Sequence, residues 1–305
     1  MKKIALVAFI LVSSSSVFAQ AYGDLNFFQN QGSIYYQGSF ASDSYTYIKK
    51  SSNTEYEQEG LSFNNQVSYG VLNNLNVFVE ANYKLSNTLR VKGAESHDED
   101  GLTNPGVGAN YRLLSGSTVV DIFGKFNIQL QDAERGDNRK DGNAAEAEEM
   151  RGTVGVALGG IGFGPGEYRF ALGARHNTDG EYTELVNGGA SQNVETDSKT
   201  DFFFNANYQF RPVKTFMIDL GYKLDRFAEA TEKNKSTGSK TVADEHYFHR
   251  LTFKAKYQIS DMLIASIFSE NGMMTPDYDE KTNGVKSEIK RQKLFSFGAG
   301  IDLLF

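Results

Sequence analysis

From about residue 33 to its end, the chain alternates apolar with polar or small residues at every second position, run after run. The last thirteen residues, Lys293 to Phe305, show the pattern most clearly. Phe295, Phe297, Ala299, Ile301, Leu303 and Phe305 lie on one side, and Ser296, Gly298, Gly300 and Asp302 on the other. Side chains of a strand point alternately to its two faces, so this segment has one greasy wall and one small or polar wall. Runs of about ten residues with this period are what a tilted transmembrane strand requires.

Twelve runs of this kind can be counted, at 34–41, 61–69, 75–85, 107–113, 120–130, 150–158, 168–174, 202–210, 216–224, 247–257, 262–270 and 293–305. Short links such as 70–74, 114–117, 211–214 and 260–261 alternate with long hydrophilic segments at 49–60, 86–104, 132–147, about 176–199, 228–244 and 271–288. An even number of strands with short turns at one rim and long loops at the other is the up-and-down barrel pattern. All four prolines, Pro105, Pro165, Pro212 and Pro276, fall in links or at strand starts, where a missing N–H breaks no ladder. A soluble sandwich or lipocalin-like barrel has two-faced strands too, with the apolar face enclosed. Twelve strands in one barrel enclose more space than their own apolar side chains would fill, so the apolar wall is expected to face outward. The reading is an all-β fold: a single up-and-down antiparallel transmembrane β-barrel of about 12 strands over residues 33–305. Both termini are then expected on the periplasmic side.

Ahead of the barrel, Met1-Lys2-Lys3, the apolar run Ile4 to Val12, four serines and Val17-Phe18-Ala19 have the layout of a secretory signal, expected to span residues 1–19. Nine apolar residues are too few to cross a bilayer as a helix. Residues 20–32 form a short polar-aromatic lead on the periplasmic side. Without Lys2 and Lys3 the chain carries 29 basic and 38 acidic residues, a net charge of −9. That balance argues against nucleic acid as a partner, because phosphate binding needs clustered positive charge. The absence of cysteine excludes disulfides and thiolate metal sites. No cofactor is expected.

The polar wall carries the functional candidates. Basic residues expected to line a pore are Lys84, Arg112, Lys125, Arg151, Arg169, Arg175, Lys223, Arg250, Lys254 and Lys256; acidic ones are Glu80, Asp121 and Asp219, with Glu149, Asp225 and Asp302 on the same face. Such a lumen is slightly basic within an acidic protein. Either the wall charges select anions and polar solutes, or they pair across strands and close the barrel. Other motifs are bland. The glycine run 159–166 lacks the spacing and following helix of a phosphate loop and is expected to be a turn. The acidic clusters at 95–100 and 277–280 lack calcium-loop spacing.

Three resemblances add to this. The closing strand resembles that of bacterial outer-membrane β-barrels. There, a terminal Phe preceded by alternate apolar residues is the assembly signal, which implies that role for Phe297, Ile301, Leu303 and Phe305 and the barrel-assembly machinery as a partner. His176-Asn177-Thr178-Asp179-Gly180 resembles the H-x-S-N-G motif of outer-membrane phospholipase A, with Thr in place of the nucleophilic Ser and Asp in place of Asn. A secondary hydroxyl is a poor substitute nucleophile, so no catalytic residue is assigned. Tyr69 to Val77 and Gly101 to Leu113 resemble the outer-membrane family linked to meta-pathway phenol degradation, with its Y-G-V-x-x-N-L turn and G-x-x-x-P-x-x-G-x-x-Y-R-L strand. That implies uptake of small aromatic or hydrophobic molecules.

The function expected is thus an outer-membrane, porin-like channel of a Gram-negative cell for passive passage of small solutes. The expected partners are outer-membrane lipids, lipopolysaccharide and a small-molecule solute. The alternatives are a closed structural or adhesive barrel presenting charged outer loops, and a lipid hydrolase.

Overall fold

The structure is a computed structural model that describes residues 24–50, 53–91, 94–98, 100–129, 134–136, 149–162, 166–186, 190–275 and 277–305. The expected signal at residues 1–19 lies outside them, as do Pro165 and Pro276. Twelve strands form the wall: β1 (Ile34–Lys49), β2 (Thr54–Leu72), β3 (Leu75–Val91), β4 (Gly106–Leu114), β5 (Thr118–Asn127), β6 (Arg151–Ile161), β7 (Gly166–Asn177), β8 (Lys199–Val213), β9 (Phe216–Phe227), β10 (His246–Ser260), β11 (Leu263–Thr275) and β12 (Val285–Leu304). Each pairs antiparallel with its neighbours in chain order. β12 closes the ring on β1 with Phe40 opposite Ala299 and Gly38 opposite Ile301. No helix is long and apolar enough to cross a membrane among the described residues.

The faces of this barrel are inverted relative to a soluble protein. Phe40, Val79, Val154, Leu172, Leu220, Leu251, Ile267 and Phe297 are exposed on the outside. Residues of the opposite parity on the wall strands, such as Asp121, Asp225 and Lys256, are buried inside. Tyr69, Tyr111 and Tyr257 face outward within a few residues of the short turns, and Tyr168 and Tyr208 join them by register. That is the interfacial aromatic belt of a membrane barrel.

The long connections differ from the expectation of loops. β1 and β2 stay paired up to Lys49 opposite Thr54. Tyr278–Thr282 pairs with β12, and Gly180–Val186 with Ala190–Thr196. Ala230–Asn234 and Lys240–Ala243 form another ribbon that joins these two. The sheet therefore continues beyond the apolar band at this rim. Its residues there are mostly Tyr, Thr, Glu and Lys, strand-compatible but largely polar, with only the Tyr182–Val194 pair buried as a hydrophobic cluster among the described residues, so apolar alternation carries little trace of them.

Candidate functional site: the barrel interior

Inside the barrel the expected pore-lining residues are brought together and paired. Four ion pairs reach over an intervening strand: Glu80 with Lys125 at 2.7 Å, Asp121 with Arg169 at 2.8 Å, Lys223 with Glu270 at 2.6 Å, and Arg175 with Asp225. Others join adjacent strands. Arg112 donates from Nε to Asp121 Oδ1 at 2.8 Å, Arg250 contacts both Asp225 and Glu270, and Lys256 lies 2.6 Å from Asp219. Arg151 lies 3.1 Å from Glu149 and donates to Asn177. Asp225 and Asp121, each gripped by two guanidiniums, have side chains only 2% and 3% exposed. A carboxylate taken that far from water persists as an anion only with such partners. Lys84 is half-buried on the same wall. Lys254 faces the lumen as well, without an ion pair.

Residues 24–33 are not a free lead. They fold into the short-turn end of the lumen. Asn26, 1% exposed, donates through its backbone N–H and its amide to Glu167 Oε2 at 3.0 and 3.1 Å, and its carbonyl accepts from Arg112 Nη2 at 2.9 Å. Leu25 N–H donates to Gln209, Asp24 pairs with Arg211, and the Arg112 guanidinium lies 4.4 Å over the Phe28 ring. Below these, Phe27 packs with Tyr35 and Leu304 on the fully buried Met217 and Ile264. Two inward glycines make room. A Cβ on Gly159 would meet Asn26 Oδ1 at 1.9 Å, and one on Gly70 would meet the Asn30 carbonyl oxygen at 2.0 Å. The segment is a plug stitched to at least six strands.

At the opposite rim the inner face is aromatic. Tyr47 stacks on Tyr56 at 4.7 Å, His246 on Tyr278 at 4.2 Å, and Tyr45 meets Phe248 edge-on. Burial, with Tyr278 and Tyr47 nearby, pushes the Tyr45 hydroxyl well above its ordinary value; burial also holds His246 below the usual imidazole range.

Other candidates resolve into structural roles. Phe297, Ile301 and Phe305 point outward and exposed, with Leu303 on the same face. His176 Nδ1 contacts Thr200 Oγ at 2.9 Å, while the Thr178 hydroxyl donates to the Asp179 carbonyl and accepts from Met150 N–H. The imidazole and the hydroxyl of that motif therefore serve separate turn and rim contacts. Asp279 and Asp277 pair with Lys286 and Lys290 rather than forming a cation site. The reading from sequence missed Glu270, which ends the least regular run, and Glu167, Gln209 and Asn26. Inward parity continued through Ser266, Phe268 and Glu270 would have found the first. Nothing in residues 24–33 marks them as a plug.

A closed barrel with an apolar exterior, an aromatic belt and a charged, partly filled interior defines a transmembrane barrel of the outer-membrane type. An outer membrane channel from Pseudomonas putida F1 superposes with a TM-score of 0.61 over 94% of this chain and 100% of that one, at 10% identity. The translocator domain of the autotransporter NalP from Neisseria meningitidis gives 0.52 over 99% and 93%, at 12% identity. At such identities the likeness is one of fold. No protein-family model matches the chain, and no curated protein sequence matches it.

Proposed function

We propose that this protein is an outer-membrane channel for passive passage of small polar solutes, held shut or narrowed at its short-turn end by residues 24–33. The observation that carries this is a cavity of about 300 Å³ left open in the lumen between β10–β12 and β1–β3, although most wall charges are paired off. A barrel serving only as a scaffold would gain nothing from a polar hollow that excludes lipid. Apart from the Phe268 ring, the lining there is amide, hydroxyl and charge, which favours polar solutes over the aromatic ones implied by the phenol-pathway resemblance.

The plug, with its dense hydrogen bonding, favours one second reading: a closed barrel whose ribbons contact lipopolysaccharide or other surface partners. Planar-bilayer conductance separates the two. The refolded mature chain is expected to give small or intermittent currents, and a chain lacking residues 20–32 larger and steadier ones. Silence from both under any salt or voltage would remove the channel and leave the closed barrel. Turnover of phospholipid by the purified protein, lost in His176→Ala, would instead support the hydrolase.

A further inference from the structure

Among the described interior cations, Lys254 stands apart. Its neighbour two residues on, Lys256, is in contact with Asp219 at 2.6 Å, and the other lysines and arginines expected to line the pore have partners. Among the described residues the Lys254 ammonium has neither a hydrogen bond nor an ion pair within 4.0 Å. It lines the 300 Å³ cavity together with Asp302, an anion that is 5% exposed and receives only a long 3.5 Å contact from Gln37. The rest of the lining includes Glu80, already held by Lys125, Gln66 and Ser39, whose side chains have no partner among the described residues, and the ring of Phe268.

Two opposite charges, neither with an ion-pair partner among the described residues, therefore share one hollow without touching. Asp302 is buried and Lys254 half-buried: an ion removed from solvent costs several kcal/mol unless a counter-charge or hydrogen bonds replace it. Most other charges on this wall close that gap by direct pairing. Here the chain leaves room between the partners, at the low end of the volumes that hold small ligands. A simple anion would satisfy Lys254 and be repelled by Asp302; a simple cation would suffer the reverse. A neutral polyol would leave both charges unmatched. A solute with both signs answers both at once, and the free amide and hydroxyl of Gln66 and Ser39 can bind its carboxylate or ammonium.

We propose that this cavity is a binding site for a small zwitterion, an amino-acid-sized molecule whose carboxylate sits on Lys254 and whose ammonium faces Asp302. The site deepens the channel reading, on which its role as a solute station rests, though binding itself does not require conduction.

The test uses the full mature chain refolded in detergent micelles, with β-alanine, acetate, ethylammonium and glycerol titrated separately by saturation-transfer NMR. β-Alanine is expected to bind at least tenfold more tightly than the other three. Lys254→Gln and Asp302→Asn are each expected to weaken it at least tenfold. The exchange Lys254→Asp with Asp302→Lys is expected to restore most of it, with the ligand reversed, which guards against variants that simply fold badly. Acetate binding as tightly as β-alanine, or β-alanine binding unaltered in Lys254→Gln, would overturn the proposal. In planar bilayers β-alanine is expected to reduce the wild-type current and to leave that of Lys254→Gln unaltered. A protein that binds β-alanine through Lys254 but carries no current keeps the site and loses the channel. One that conducts while its β-alanine binding ignores Lys254 keeps the channel and loses the site.

Discussion

Asp225 is the side chain on which the inner wall depends most. It sits on β9, accepts from Arg175 of β7 and Arg250 of β10, and is connected through Arg250 to Glu270 and from there to Lys223. Removing one member of a buried pair strands the others without water, a cost of about 3–5 kcal/mol. Asp225→Asn is therefore expected to lower the stability of the barrel by an amount of that order, read from denaturant unfolding in micelles. Adding Arg250→Met to it is expected to recover part of the loss, because one stranded guanidinium disappears; purely additive losses would show that the two do not interact. The participants were legible in the sequence, because a strict period of two sorts residues by face. Their pairing was not. Arg175 and Asp225 lie fifty positions apart and meet across β8, a distance that depends on barrel curvature and shear rather than on any local pattern.

At the level of elements, the ribbon rim shows where period-two reading stops. Thr282 pairs with Val285 across Asn283 and Gly284, both with positive φ, at 50° and 82°. Asn-Gly in such a two-residue hairpin is a strong local signal, yet it lies in a stretch that reads as loop because its flanks, Asp279 to Lys281 and Lys286 to Glu288, are charged on both faces. Placing a β-branched residue in the left-handed region costs about 1–2 kcal/mol. Gly284→Val is accordingly expected to speed amide exchange in Tyr278–Thr282 and its partners on β12 while leaving the melting of the whole barrel nearly unchanged. The same rim responds to acid. His246 stacks on Tyr278, and burial keeps its folded-state pKa below the ordinary 6.5. The unfolded form takes up its proton first, so the imidazole's contribution is complete above 6.5 and is lost as pH falls through that value toward the folded pKa. Exchange protection at Tyr278–Thr282, corrected for intrinsic rates, is expected to fall between neutral pH and pH 5 in the wild type and to change much less in His246→Phe.

For the whole molecule, the deciding quantity is which wall meets hydrocarbon. Twelve strands enclose an interior intermediate between a solid core and an open pore. The chain fills part of it with residues 24–33 and paired charges, and leaves a polar cavity of about 300 Å³ between β10–β12 and β1–β3. Outward, a row crosses the middle of four adjacent strands: Ile122, Val156, Leu172 and Phe204 stand side by side in register. All four are exposed, at 46%, 43%, 58% and 36%. In a water-soluble barrel, arginine at Val156 would be close to neutral, since surface positions tolerate charge. At the midplane of a bilayer the same change costs about 2–4 kcal/mol, falling toward zero near the interfaces. Val156→Arg is therefore expected to destabilise the barrel in lipid vesicles by that amount. Arginine at Tyr257, in the belt beside the β10–β11 turn, is expected to cost about 1 kcal/mol or less. Equal effects at both depths, or stability gained at Val156, would mean that the apolar wall faces water, and neither the plug nor the zwitterion cavity would then lie in a transmembrane passage.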